Sequence, residues 1–126
     1  MNNDYGKNIT INGNTYELIL TTKATKEIAG RYGGLENLGE KLMKSENFEL
    51  ALSEIIWLIT LLANQSILIY NIKNADKKEL LTEDIVELLT TPFELVEYKN
   101  AITAAMIKGT KRTVESETDE KNVTSG

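Results

Sequence analysis

The sequence has neither cysteine nor histidine, and only one proline (Pro92) and one tryptophan (Trp57). Without cysteine the chain forms no disulfide, no thiolate metal site and no cysteine nucleophile. Without histidine it lacks the commonest general base and the commonest metal ligand, and a serine–histidine triad is excluded. These absences point away from an enzyme, and we expect no catalytic residue, no cofactor and no metal site.

Positive charge is also scarce, since 14 Lys and Arg residues stand against 19 Asp and Glu residues, for a net charge of −5. A protein that binds nucleic acid needs a cationic face to displace counterions from phosphates. The composition therefore predicts no nucleic-acid partner and favours a protein that binds another protein. The polar N-terminus has no signal-peptide pattern, so we expect a cytoplasmic protein.

A β-hairpin is predicted over residues 7–20, because Asn12-Gly13 is the strongest signal for a two-residue hairpin turn. This turn places Ile9 opposite Tyr16 and gives the hairpin one apolar face. A two-stranded hairpin is marginally stable by itself. We therefore expect its apolar face to pack on helices or on another chain.

About five helices are predicted after the hairpin, which makes the fold mainly α, of the α+β class. Thr22 is a candidate N-cap for the first helix, and Gly33-Gly34 a candidate end. A short second helix carries leucines at positions 35, 38 and 42. The third helix is predicted from about Glu46 to Asn71.

The third helix is unusual because no charged residue occurs between Ile55 and Ile72. This stretch is close to the length of a membrane span, but polar residues interrupt it, so we predict no span. At 1.5 Å per residue the helix would be about 39 Å long, against about 34 Å for the diameter of the domain. We therefore expect either a kink at Asn64-Gln65-Ser66 or a protruding apolar helix that needs a partner.

Trp57, Leu61 and Leu68 share one face of the third helix, and we predict that they contact a client or a neighbouring subunit. A core position for Trp57 is an open alternative. Asn64 and Gln65 need hydrogen-bond partners if buried, and they either cap a kink or specify register against another subunit.

The fourth helix is predicted to begin at Thr82-Glu83-Asp84, with three apolar side chains facing inward: Ile85, Leu88 and Leu89. The fifth begins at Thr91-Pro92-Phe93-Glu94, a capping box with proline at the first helical position. Its predicted apolar stripe includes Leu95, Ile102 and Met106, and Gly109 is its predicted end.

Residues 1–110 are thus predicted to form a single helical domain with the hairpin at its N-terminus. Residues 111–126 contain no apolar side chain larger than valine. Such a segment buries too little to offset its ordering entropy, so we predict a flexible, disordered polar tail.

The carboxylates give no clear site. Glu83 and Glu87 have the spacing of a helical cation site, but no calcium-loop pattern accompanies them, and we interpret them as residues of a helix start and its solvent face. Glu54 is either a buried acid with a raised pKa or a residue that still reaches water, and the second interpretation is favoured.

Four segments together carry a resemblance to a known family: Ile-Thr-Ile-Asn-Gly-Asn-Thr-Tyr-Glu-Leu at 9–18, Thr-Thr-Lys-Ala-Thr-Lys-Glu-Ile at 21–28, Leu-Leu-Ala-Asn-Gln-Ser-Ile at 61–67 with Tyr70-Asn71, and Leu-Thr-Glu-Asp-Ile-Val-Glu-Leu-Leu at 81–89. In these patterns and their order the chain resembles the tail assembly chaperones of long-tailed (siphovirus-type) phages and prophages of Gram-positive bacteria. The resemblance covers about residues 8–112.

This resemblance implies a small, mostly helical protein without enzymatic activity. It implies binding to the tape measure protein, a long apolar rod that the chaperone keeps soluble in the bacterial host cytoplasm, and self-association into spiral or ring-like oligomers. The family offers no site motif, so no functional residue is transferred from it. A structural or connector component of a phage tail or virion, or a small regulatory interaction protein, remains an alternative.

Overall fold

The computed structural model describes the backbone at residues 6–34, 37–38 and 48–125, and the side chains at 8–34, 37–38 and 51–109. Over these ranges the fold is mainly helical with an N-terminal hairpin, as predicted. The elements are β1 (Gly6–Ile11), β2 (Asn14–Ile19), α1 (Thr22–Tyr32), α2 (Phe48–Lys73), α3 (Glu83–Leu89) and α4 (Pro92–Ser125). Most of the predicted helix at 35–42 lies outside the described residues.

The hairpin has the predicted turn and register. Asn12 and Gly13 have φ values of 52° and 83°, as a type I′ turn requires. Ile9 pairs with Tyr16, so the two side chains lie on one face. That face is buried, and the hairpin packs on both α2 and α4.

Helix α2 lies at the centre of the fold and contacts α1, β2, α3 and α4. It is continuous over 26 residues. The polar residues at its middle do not interrupt the helix; Gln65 Nε2 and Ser66 Oγ donate to carbonyl oxygens of the preceding turn. Its buried side chains are Ile55, Ile56, Leu58, Ile59, Leu62, Ala63, Gln65 and Ile67.

Helix α1 is capped by Thr21, so the predicted cap at Thr22 is wrong by one residue. The Thr21 hydroxyl oxygen accepts from the Ala24 N–H at 3.0 Å and donates to Gln65 Oε1 at 2.5 Å. The hydrogen bond to Gln65 explains why Thr21 and not Thr22 caps α1, because this bond links the cap to α2. Gly33 ends the helix in the left-handed conformation, as predicted.

Helix α4 begins with the predicted capping box. The Thr91 N–H donates to Glu94 Oε1 at 2.9 Å, and the Glu94 N–H donates to Thr91 Oγ1 at 3.3 Å. The predicted stripe is also confirmed, since Leu95 and Ile102 are buried and Met106 packs against the core.

The predicted helix end at Gly109 is wrong, because the backbone of α4 remains helical to Ser125. A glycine inside a helix costs only about 1 kcal/mol relative to alanine, which does not by itself end the helix. Gly109 has a packing role instead: a Cβ atom there would lie 2.7 Å from Leu20 Cβ. The side chains of the predicted tail, 111–126, are outside the described residues, and its flexibility stays a prediction.

We expect Gly109→Ala to destabilise the protein by about 1–3 kcal/mol, because the added methyl overlaps the residue that follows β2. Gly30→Ala in α1 is the matched control, since a Cβ atom there meets no atom within 4 Å and alanine favours helix. Urea denaturation followed by circular dichroism measures both. Equal stabilisation by the two substitutions would contradict the proposed packing role.

Candidate protein-binding surface

Two asparagines of α2 hold the segment that leads into α3. Asn64 Nδ2 donates to the Leu81 carbonyl at 2.9 Å, and the Leu81 N–H donates to Asn64 Oδ1 at 2.7 Å. Asn71 makes the same pair of bonds with Lys78, at 3.1 and 2.8 Å. Each asparagine side chain therefore donates one hydrogen bond to the backbone of a single residue and accepts one from it.

The distance between the two asparagines along α2 is about equal to the distance between the two residues that they bind; we call the two pairs, Asn64 with Leu81 and Asn71 with Lys78, the anchors. Asn71 lies seven positions after Asn64, a rise of about 10.5 Å along the helix. Leu81 lies three positions after Lys78, a span of about 10 Å for an extended backbone. The segment 78–81 therefore runs antiparallel to α2 with both ends fixed, and Leu81 is buried against the core.

This anchoring sets the rotation of α3 about its own axis. Thr82 follows Leu81 directly and caps the helix, accepting from the Ile85 N–H at 3.1 Å. Val86 is the side chain that the cap turns into the core, where it is 0% exposed. The inward orientation predicted for Ile85, Leu88 and Leu89 is therefore wrong, because all three are exposed.

Leu88 and Phe93 are the most exposed large apolar residues of this region, at 81% and 72%. At 100° per residue, Leu88 lies about 160° around α3 from the buried Val86, and Phe93 lies about 160° around α4 from the buried Leu95. Both side chains consequently point away from α2, towards solvent.

Three further apolar side chains are exposed beside them. We call the set the α3–α4 surface; its members are Ile85, Leu88, Leu89, Phe93 and Val96. Single exposed apolar residues are normal, but a group of five within twelve residues of sequence is typical of a binding site.

The surroundings of the α3–α4 surface are acidic. Between Lys78 and Lys99 the sequence has six carboxylates and no basic residue. Glu94 is engaged in the capping box, whereas four others on the two helices are exposed: Glu83, Asp84, Glu87 and Glu97. Exposed carboxylates border the apolar side chains on both helices.

The predicted contact residues Trp57, Leu61 and Leu68 lie on a half-buried face of α2. The Trp57 ring is partly covered within the chain, because the Arg31 guanidinium lies 4.4 Å from its centroid and the Tyr32 ring meets it edge-on at 6.0 Å. Leu61 packs against the core. Contact of these three residues with a client or a second subunit stays a prediction.

Glu54 is part of the same cluster. Its carboxylate accepts from the Tyr32 hydroxyl and from Arg31 Nε, the latter at 3.3 Å. Burial raises the pKa of Tyr32, and the hydrogen bond to Glu54 raises it further. The Glu54 carboxylate is thus held in a structural network that joins α1 to α2.

Among the described residues, no group of three or more His, Cys, Asp and Glu side chains is placed to hold a metal ion. In the same part of the chain, Ala51–Lys73 is long and apolar enough to cross a membrane by length and composition, with a hydropathy of 1.7. Core helices of soluble proteins have the same properties, and 44% of an 18-residue stretch of this segment is buried inside the protein.

No protein-family model, no curated protein and no solved structure matches the chain.

We expect Asn64→Ala to destabilise the protein by about 1–3 kcal/mol, because it leaves the N–H and C=O of the buried Leu81 without their partners. Asn71→Ala is the control, since its two bonds to Lys78 are exposed and water replaces them. Chemical denaturation compares the two variants. An equal loss in both would show that burial of the anchor does not matter.

A second prediction concerns pH. Because the folded-state pKa of Tyr32 lies above the ordinary tyrosine pKa of 10.0, the stability from its hydrogen bond to Glu54 is complete below pH 10 and is lost as pH rises towards the folded pKa. Wild type should therefore exceed Tyr32→Phe in unfolding free energy by about 1 kcal/mol at neutral pH, and the difference should shrink above pH 10. Denaturation of both proteins across this range measures it; a constant difference would contradict the assignment.

Proposed function

We propose that the chain is a non-enzymatic tail assembly chaperone that binds the tape measure protein of a long-tailed phage and keeps it soluble in the host cytoplasm. The observation that carries the proposal is the exposure of Leu88 and Phe93, together with three further apolar side chains of α3 and α4. A chaperone of an apolar rod needs such a surface, open in the free protein.

The energetics of this surface suit reversible holding of a client. Covering exposed apolar area contributes about 25 cal/mol per Å², less the cost of ordering both partners. The side chains of the α3–α4 surface recur at spacings of three and four residues on two helices, a pattern that favours a helical partner. The net charge of −5 keeps the complex dispersed.

Self-association is the second part of the proposal. The half-buried face of α2 that carries Trp57, Leu61 and Leu68 is separate from the α3–α4 surface. We assign this face to contact with a neighbouring subunit in a spiral or ring-like oligomer, so that the client and the next subunit use different residues.

Co-expression with the tape measure protein tests the proposal. We expect the wild-type chain to keep the rod-like protein in the soluble fraction and to co-purify with it. Leu88→Ser/Phe93→Ser should reduce the soluble client at least about 10-fold, the size expected for losing two interface anchors. Ile72→Ser is the matched control, because Ile72 is 82% exposed but lies at the end of α2, outside the α3–α4 surface.

Two results would contradict the proposal. One is a chain that stays monomeric and neither binds nor solubilises the tape measure protein. The other is its presence in fixed copy number in finished phage particles, measured by mass spectrometry, which would identify a structural or connector component instead.

A further inference from the structure

The charges around the α3–α4 surface indicate what kind of helical partner it binds. Asp84 lies one helical turn before Leu88, and Glu97 lies one turn after Phe93. Each of the two most exposed side chains of the α3–α4 surface therefore has an exposed carboxylate one helical turn away.

Neither α3 nor the part of α4 before Lys99 contains a Lys or Arg residue. The nearest basic residues in sequence are Lys78, whose Nζ lies 4.1 Å from the centroid of the Tyr70 ring, and Lys99, which has its own interaction. A partner that brings Lys or Arg to the rim gains Coulomb energy, whereas a partner with Asp or Glu there is repelled.

The same charge argues against two other occupants. A second copy placed symmetrically on this surface would bring the four exposed carboxylates of the two helices close to four identical ones. An anionic membrane surface would be repelled in the same way.

We infer that the α3–α4 surface binds a cationic amphipathic helix, one whose apolar stripe is flanked by Lys or Arg. This inference rests on the proposed function, and it narrows the recognised part of the client from any apolar helix to those with basic flanks. Apolar contact with Leu88 and Phe93 then supplies affinity, and Asp84 and Glu97 supply the selection among client segments.

Two labelled peptides of about 18 residues, or five helical turns, test the inference. They share one leucine stripe and differ in carrying lysine or glutamate beside it. Fluorescence anisotropy with the full chain at about 0.15 M salt measures Kd for each peptide. We expect the lysine peptide to bind at least about 10-fold more tightly than the glutamate peptide.

Charge reversal then locates the site. Glu97→Lys should weaken binding of the lysine peptide by about 3-fold or more, whereas Glu27→Lys, an exposed position of α1 with the same change in net charge, should not. Leu88→Ser should weaken it about 10-fold and Ile72→Ser should not. All four positions are exposed, so circular dichroism is expected to show the wild-type fold.

Several outcomes would overturn the inference: equal binding of the two peptides, equal effects of Glu97→Lys and Glu27→Lys, or full binding by Leu88→Ser. Sedimentation showing that Leu88→Ser alone abolishes self-association would assign the surface to a second copy instead. These failures are distinct from failure of the proposed function, because co-expression tests client rescue whatever the charge of the segment bound.

Discussion

The fold depends on keeping the uncharged part of α2 away from water. Helices α1, α3 and α4 and strand β2 all contact this helix, and β1 pairs with β2. Burial of apolar area is the main favourable term in folding, so the helix that carries most of it fixes where the others lie. The hairpin, α1, α3 and α4 are arranged as a cover for α2.

The few elements that cover α2 leave some of their own apolar area exposed to solvent. The expected surplus on the third predicted helix is small in the structure, because the described side chains of α2, at 51–73, are mostly buried or half-buried, and Ile72 is the exposed large apolar residue among them. The surplus lies instead on α3 and α4, because each presents one face to α2 and is apolar on more than that face. A short helix with apolar residues at 85, 86, 88 and 89 cannot bury all four against one neighbour.

Features that local chemistry determines were predictable from the sequence. The Asn12-Gly13 turn needs positive φ, and the box between Thr91 and Glu94 closes within one helical turn, so neither depends on the rest of the chain. Features set by distant partners were not. The cap at Thr21 depends on Gln65, and the rotation of α3 depends on Asn64, and no local pattern reveals either contact. The α3–α4 surface was missed for this second reason.

The paired amides on α2 also have a consequence for how the chain tolerates changes in length. Helix α2 ends at Lys73, and residues 74–77 form the loop that leads to Lys78; a longer or shorter loop leaves both anchors in place. Between Lys78 and Leu81, by contrast, one inserted residue would shift Leu81 by about 3.3 Å and turn its backbone groups away from Asn64. Deletions and insertions should therefore be tolerated in the loop before Lys78, whereas between Lys78 and Leu81 they should destabilise the fold.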